Sequence, residues 1–171
     1  ESDGSWYKGS GVNITVDALN LTAAHVVIDS TTNQPSEHLE ICITYNEYTP
    51  PSCEYSAIVY AYDPDLDLAL ITPQYLLGED GNRYGEELTN EEIEAIGLPY
   101  VDIADYEPSL GDEITIIGYP DATGSANLAL TNGVISNFDT FAMEDQIFNY
   151  SYTTDAIINP GNSGGPAYNS D

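Results

Sequence analysis

The stretch Asp155–Pro166, "DAIINPGNSGGP", decides how the rest of the chain is interpreted, because it places one serine among closely spaced glycines. Glycine has no Cβ, so Gly161, Gly164 and Gly165 allow a tight turn in which backbone N–H groups can approach a bound molecule. Ser163 lies at the apex of this turn. An ordinary glycine-rich turn would have the same letters, so the meaning of the stretch depends on what the other residues supply.

A serine hydroxyl is a weak nucleophile at neutral pH and needs a neighbouring base, usually a histidine that a carboxylate orients. The chain has 2 histidines, His25 in "LTAAHVV" and His38 in "SEHLE", and the acidic surroundings of His38 predict a surface residue. Taken alone, His25 also fits a core histidine. Asp67 in "DLDLALI" places a carboxylate in an apolar strand, where it needs a hydrogen-bonded partner such as the His25 imidazole.

The alternating Asp63, Asp65 and Asp67 resemble the start of a calcium-binding loop. Such a loop has Gly at its sixth position and Glu at its twelfth, whereas this chain has Leu68 and Gln74 there. Two cysteines and two distant histidines also lack the ligand spacing of a zinc site. We therefore predict no metal and no cofactor.

The charge of the chain is extreme, with 29 Asp and Glu residues against Lys8 and Arg83, for a net charge of −27 over 171 residues. Nucleic acid is excluded as a partner, because phosphates are neutralised by clustered Lys and Arg. The 42% of hydrophobic residues indicates a folded domain. The acidity fits either adaptation to high salt, which screens self-repulsion, or a merely acidic secreted protein.

Two cysteines, Cys42 and Cys53, flank the turn-forming stretch "ITYNEYTPPS" symmetrically. They could form a disulfide across a hairpin or remain two buried thiols. No apolar stretch reaches membrane-spanning length, and the opening "ESDGSWYKGS" has no targeting signature. Disulfide use would favour an extracellular or cell-envelope location, such as a periplasm.

Short strand-like runs separated by turn residues predict an all-β fold. We predict a first β-rich half over residues 1–75, an acidic connector over 76–108 and a second β-rich half over 109–171. The run Tyr55–Ile71, "YSAIVYAYDPDLDLALI", is interpreted as one long strand.

One short helix is predicted in the connector. Thr89 would cap it, Glu92 would complete a capping box, and Gly97 followed by Pro99 would end it.

Three motifs in order, "LTAAHVV", "DLALI" and "DAIINPGNSGGP", resemble the trypsin-like (chymotrypsin-fold) serine peptidases, most closely the HtrA/Deg-like branch. The runs "GSGVNIT" and "GDEITIIGYP" are similar to that branch as well. The resemblance implies two antiparallel β-barrels of the six-stranded type. It places His25 and Asp67 on the first barrel and Ser163 on the second, and it predicts that the second barrel is incomplete because strands after the nucleophile are missing.

The resemblance also implies roles for these residues in peptide-bond hydrolysis through an acyl-enzyme. His25 would be the general base and then the acid, Asp67 its orienting carboxylate, and Ser163 the nucleophile. Residues Gly161, Asn162 and Ser163 would form the oxyanion hole, with the amides of Gly161 and Ser163 as donors.

Asn162 occupies the position where digestive-type enzymes have Asp, so activation through pairing with a new N-terminal amine is not expected. Ile157, with its neighbour Ile158, replaces the Asp of enzymes with basic specificity and predicts a pocket for small or medium aliphatic side chains. The expected partners are polypeptide substrates, with a homo-oligomer possible in the parent protein. The alternative is a non-catalytic module that keeps this fold to bind peptides or to assemble with partners.

Overall fold

Antiparallel strands dominate the residues that the computed structural model describes, which are 7–105, 107–120, 127–143 and 146–169. The strands are β1 (Val12–Asn13), β2 (Asn20–Ala23), β3 (Ile28–Asp29), β4 (Gln34–Pro35), β5 (Leu39–Ile43), β6 (Ser52–Asp63), β7 (Leu68–Leu77), β8 (Arg83–Tyr84), β9 (Glu113–Gly118), β10 (Ala129–Met143), β11 (Gln146–Thr154) and β12 (Ala167–Asn169). The helices are α1 (Ala24–Val27) and α2 (Asn90–Ile96). The prediction of an all-β fold is confirmed.

The strands form two main sheets that follow one another along the chain. The first has the order β1-β2-β7-β6-β5, with β8 also paired to β7, and the second has the order β11-β10-β9-β12. Strands β3 and β4 form a separate two-stranded sheet. The predicted boundaries at residues 75 and 108 stay predictions.

Each sheet covers its own apolar cluster. Under the second sheet, Ile114 and Ile116 of β9 alternate with more exposed residues and pack with Ile135 and Ala156. This alternation buries one face of the strand, as its period of two residues requires. Two clusters lie under the first sheet, and their buried members are Ala24, Val27 and Ala69 in one and Ile41, Tyr55 and Ala57 in the other.

The interpretation of Tyr55–Ile71 as one long strand is wrong, because the run folds into the β6–β7 hairpin. Asp63 Oδ1 accepts hydrogen bonds from the backbone N–H groups of Asp65 (2.9 Å) and Leu66 (3.1 Å). An aspartate side chain that accepts hydrogen bonds from backbone N–H groups two and three residues further on stabilises a turn, which competes with continued strand pairing. Asp67 therefore ends a turn and does not lie inside a strand.

The predicted connector helix is confirmed as α2. Thr89 Oγ1 accepts from the Glu92 N–H, and the Glu92 carboxylate accepts from the Thr89 N–H, which completes the capping box. Gly97 ends the helix with a left-handed φ of 68°. At 7 residues this is the longer of the two helices, and no helix in the described ranges is long and apolar enough to cross a membrane.

Cys42 and Cys53 are joined by a disulfide between the paired strands β5 and β6. With Glu40 they form the one group of potential metal ligands found among the described residues. Because thiolates are the form of cysteine that binds metal, two sulfurs bonded to each other do not provide such a site.

The two main sheets are linked by polar contacts around the start of β1 and the end of β9. The hydroxyl of Thr44, which follows β5, and that of Tyr119, which follows β9, share a 2.6 Å hydrogen bond. Val101, in the segment between α2 and β9, also donates its N–H to Asn13 O of β1 at 3.0 Å. Ser10 lies between the sheets and is buried. This junction lies beside the Ser163 loop.

Candidate active site

A hydrogen-bonded histidine and aspartate form the first part of the candidate site. His25 Nδ1 lies 2.7 Å from Asp67 Oδ2, and the His25 backbone N–H donates to Asp67 Oδ1 at 2.8 Å. One carboxylate thus holds both the ring and the main chain of the histidine. The side chains are 57% and 51% exposed, so the pair is open to a ligand.

The local backbone brings these two residues together. The first sheet pairs Ala23 of β2 with Leu68 of β7, and the chain then turns into the single-turn helix α1, which carries His25. Asp67 immediately precedes β7 with a left-handed φ of 54°, and its carbonyl accepts from the Ala24 N–H at 3.0 Å. The expectation that Asp67 lies in a strand is therefore wrong, because it lies in the turn before β7, and His25 lies in the helix that follows β2.

The environment of Asp67 keeps its carboxyl ionised. Partial burial by itself would raise the pKa of Asp67. Hydrogen bonds from the His25 N–H and imidazole, the charge of His25 and the backbone of Ala24 oppose this effect, and the net result is a pKa below the usual value. At neutral pH the carboxylate can only accept hydrogen bonds.

That ionised carboxylate determines which nitrogen of the histidine ring carries the proton. Because Asp67 Oδ2 is an acceptor, His25 Nδ1 must carry the proton in the bond between them. In the neutral imidazole, Nε2 then presents a lone pair. The ring is oriented to accept a proton from a hydroxyl.

The loop that carries Ser163 is a tight turn held by its own backbone. Asn162 N–H donates to Asn159 O at 3.0 Å, and Gly165 N–H donates to Asn162 O at 2.8 Å. Gly161 and Gly164 have φ values of 98° and 81°, which side chains rarely adopt. The glycines of the motif are thus required by the conformation of the turn.

This loop packs against the segment that leads to His25. A Cβ on Gly164 would lie 2.6 Å from Ala23 N and would also collide with Thr22 Oγ1. A Cβ on Gly9 would lie 2.6 Å from Val26 Cγ1 and 3.1 Å from Ser163 O. Gly9 therefore contacts both the Val26 side chain, one residue after His25, and the carbonyl of Ser163.

The structure brings together the members of the predicted triad to different degrees. His25 and Asp67 are directly bonded, and Ser163 lies in the adjacent loop. Within the described ranges, the Ser163 hydroxyl and the His25 imidazole share no hydrogen bond. His38 is exposed, and within the described ranges its side chain shares no hydrogen bond with Asp67 or Ser163.

The backbone around Ser163 has two amides available for a ligand. The Gly165 N–H bonds to Asn162 O, and since the peptide is planar and trans, the Ser163 N–H points the opposite way. Neither this N–H nor that of Gly161 donates to an acceptor within the described part of the chain. Asn162 itself is 6% exposed, and its Oδ1 has no hydrogen-bond partner there.

The residues predicted to line a substrate pocket are on the surface. Ile157 and Ile158 are 67% and 61% exposed, whereas the preceding Ala156 is buried. Exposed aliphatic side chains next to a candidate catalytic loop are available to a ligand. Their role in specificity stays a prediction.

Sequence reasoning did not assign a role to Ser10 or Thr22, which both contact the Ser163 loop. The "GSG" run at residues 9–11 was the available signal, because a polar residue between glycines suggests close backbone approach.

Comparison with known proteins places these features in a family, since the family model described as "Trypsin-like peptidase domain" matches residues 9–171. The chain belongs to the trypsin-like peptidase family. Its relatives include HtrA/Deg proteases, and its all-β fold is of the chymotrypsin type, as the motifs predict.

Similar curated proteins include "Protease Do-like 4, mitochondrial" of Arabidopsis thaliana, which is 32% identical over 98% of this chain. Another is "Probable periplasmic serine endoprotease DegP-like" of Chlamydia pneumoniae, at 29% identity over 96% of the chain. This chain spans 26% and 27% of the lengths of those two relatives.

Among solved structures, a serine endoprotease from Yersinia pestis is similar, with a TM-score of 0.60 and 25% identity. The match covers 94% of this chain and 44% of that one.

Proposed function

We propose that this chain is the peptidase domain of a serine endopeptidase of the HtrA/Deg type. The observation that carries the proposal is the bonded His25–Asp67 pair, whose preceding segment at Thr22 and Ala23 packs against the glycine-framed loop bearing Ser163. A serine, an oriented imidazole and a carboxylate are the parts that acyl transfer requires.

In the proposed first step, the Ser163 oxygen attacks the carbonyl carbon of the substrate peptide while His25 Nε2 takes the hydroxyl proton. The ionised Asp67 stabilises the imidazolium that forms. The tetrahedral oxyanion receives hydrogen bonds from the amide N–H groups of Gly161 and Ser163. Such donors are typically worth about 10²–10³ each in rate.

In the following steps the imidazolium gives its proton to the leaving nitrogen, the C–N bond breaks, and the acyl group remains on Ser163. Water then attacks the ester carbonyl while His25 accepts its proton, and the imidazolium returns that proton to the Ser163 oxygen as the acyl C–O bond breaks, which releases the acid product and restores the free hydroxyl. Substrate binding would bring the Ser163 hydroxyl and the imidazole into hydrogen-bond contact, since catalytic hydrogen bonds often tighten only in the complex.

The proposed substrates are polypeptides cleaved after apolar residues. Ile157 and Ile158 present aliphatic surface next to the loop and no charge that would select a basic side chain. A cell-envelope location is proposed because the names of some relatives describe periplasmic proteases, although others are mitochondrial. Assembly of the parent protein into a homo-oligomer is part of the same proposal.

Hydrolysis of unfolded casein and of fluorogenic peptides by the whole gene product tests the proposal. We expect cleavage after Val or Ala to exceed cleavage after Arg or Asp, because the Ile157 surface offers apolar contact only. The Ser163→Ala protein supplies the background rate. Equal rates for the wild type and Ser163→Ala would indicate the alternative, a peptide-binding module, and a preference for Arg would contradict the assignment of the pocket.

A further inference from the structure

Ser10 is buried at the junction of the two sheets, and its hydroxyl both donates and accepts a hydrogen bond. The residue is 5% exposed. Its Oγ donates to Gly161 O at 2.6 Å and accepts from the Tyr119 N–H at 3.0 Å. The hydroxyl thus connects the end of β9 to the loop of the candidate nucleophile. Gly161, its partner in that loop, is 151 residues from Ser10 in the chain.

The backbone of Ser10 makes two more connections across the site. Its N–H donates to Ser163 O at 2.8 Å, and its carbonyl accepts from Thr22 Oγ1 at 2.7 Å. Thr22 belongs to β2, three residues before His25. Ser10 therefore joins the strand that leads to the base with the loop that bears the nucleophile.

The surrounding glycines show how closely these segments approach Ser10. A Cβ on Gly118 would lie 2.9 Å from Ser10 Oγ, and one on Gly165 would lie 3.0 Å from Ser10 Cβ. Real Cβ atoms do not tolerate such contacts without displacement. Because neighbouring backbone packs directly on it, the Ser10 hydroxyl has a single defined environment.

The bond to Gly161 O constrains the loop at the position where the oxyanion donors lie. The Gly161 carbonyl and the Asn162 N–H belong to one planar peptide and point in opposite directions. A contact that fixes the carbonyl therefore also fixes this N–H, which donates to Asn159 O. Gly161 has little conformational preference of its own, so contacts select its orientation: the Asn162–Asn159 bond from inside the loop and the Ser10 hydroxyl from outside. Ser10 holds the carbonyls of Gly161 and Ser163 from one point.

We propose that Ser10 is a positioning residue, whose hydroxyl holds the Gly161 carbonyl so that the Gly161 and Ser163 amides and the Ser163 oxygen keep their reacting orientation. This inference rests on the proposed peptidase function. Ser10 touches no reacting atom in this scheme and acts only through the loop.

The test compares Ser10→Ala with Ser56→Ala in the whole gene product. Ser56 is a matched control because it is 3% exposed and its hydroxyl has no hydrogen-bond partner in the described part of the chain. We expect Ser10→Ala to lower kcat about 100-fold, the cost of a misplacement of about 1 Å, with KM nearly unchanged. Ser56→Ala should keep the wild-type kcat.

Two further readouts separate positioning from simple loss of folded protein. Titration with a fluorophosphonate counts competent sites, so that kcat is expressed per labelled site. A peptide aldehyde, which forms a tetrahedral adduct with the serine, should bind Ser10→Ala more weakly by about the same factor as kcat falls.

The same kcat per labelled site in Ser10→Ala and Ser56→Ala would overturn the inference, even if Ser10→Ala were less stable. Unchanged aldehyde binding would overturn it as well. An inactive wild type that does not react with the fluorophosphonate would instead refute the proposed function, so the two failures are distinguishable.

Discussion

Replacing His25 with alanine is expected to lower kcat for peptide hydrolysis by about six orders of magnitude, as far as replacing Ser163. The second histidine, His38, is exposed and shares no hydrogen bond with Asp67 or Ser163 within the described ranges, so His25 is the histidine that the proposal makes the base. The double variant His25→Ala/Ser163→Ala should be no slower than either single variant, because the two residues act in the same step.

The control for this prediction is His38→Ala, which removes an imidazole of the same type from the surface and should keep the wild-type rate. The measurement is kcat and KM on a fluorogenic peptide with Val before the cleaved bond. An active His25→Ala protein, or additive losses in the double variant, would contradict the role of His25 as general base.

Changing Asp67 to asparagine is expected to lower kcat by about four orders of magnitude, which is less than the loss for His25. The asparagine oxygen can still accept from the His25 backbone N–H, now 2.8 Å from Oδ1. Its amide nitrogen, however, would donate to Nδ1 and drive the ring proton to Nε2, where it blocks proton transfer from the serine. Asp65→Asn is the control, because it removes a charge from the same turn without touching the imidazole.

Because the pKa of Asp67 is lowered, the Asp67→Asn variant is also expected to change how the free energy of unfolding depends on pH. A carboxyl whose folded pKa lies below its unfolded value stabilises the fold above the unfolded value, here near 3.8, and this contribution is lost as pH falls through the folded pKa. The difference in unfolding free energy between the wild type and Asp67→Asn should therefore be constant near neutral pH and shrink in strong acid. Urea unfolding at a series of pH values measures it, and a difference that grows in acid would contradict the hydrogen-bonding account.

The sequence allowed the family, the all-β class and helix α2 to be predicted because each has a local signature. The α2 caps lie within a few residues of each other, at Thr89, Glu92 and Gly97. The order of the histidine, aspartate and serine motifs likewise needs no knowledge of contacts.

The β6–β7 turn was not predicted because the apolar pattern continues through it and is consistent with a single strand. What decides the turn is the side chain of Asp63, which bonds the backbone of Asp65 and Leu66. Whether this stretch forms a turn or a strand depends on a competition between local hydrogen bonds and strand pairing. Hydrophobic periodicity contains no information about that competition.

The role of Ser10 could not be predicted for a different reason. Its hydroxyl partners lie 109 and 151 residues away, at Tyr119 and Gly161. Only the folded arrangement of both sheets brings them together, and a small polar residue between two glycines carries no information about such distant partners.

The central claim is that Ser163 is made nucleophilic by the His25–Asp67 pair, and the site of covalent labelling tests it most directly. The whole gene product is incubated with a fluorophosphonate, digested and analysed by mass spectrometry. The account predicts one adduct, on the peptide that contains Ser163, and its loss in His25→Ala but not in His38→Ala. Labelling of other serines at the same rate, or labelling of Ser163 that is independent of His25, would contradict it.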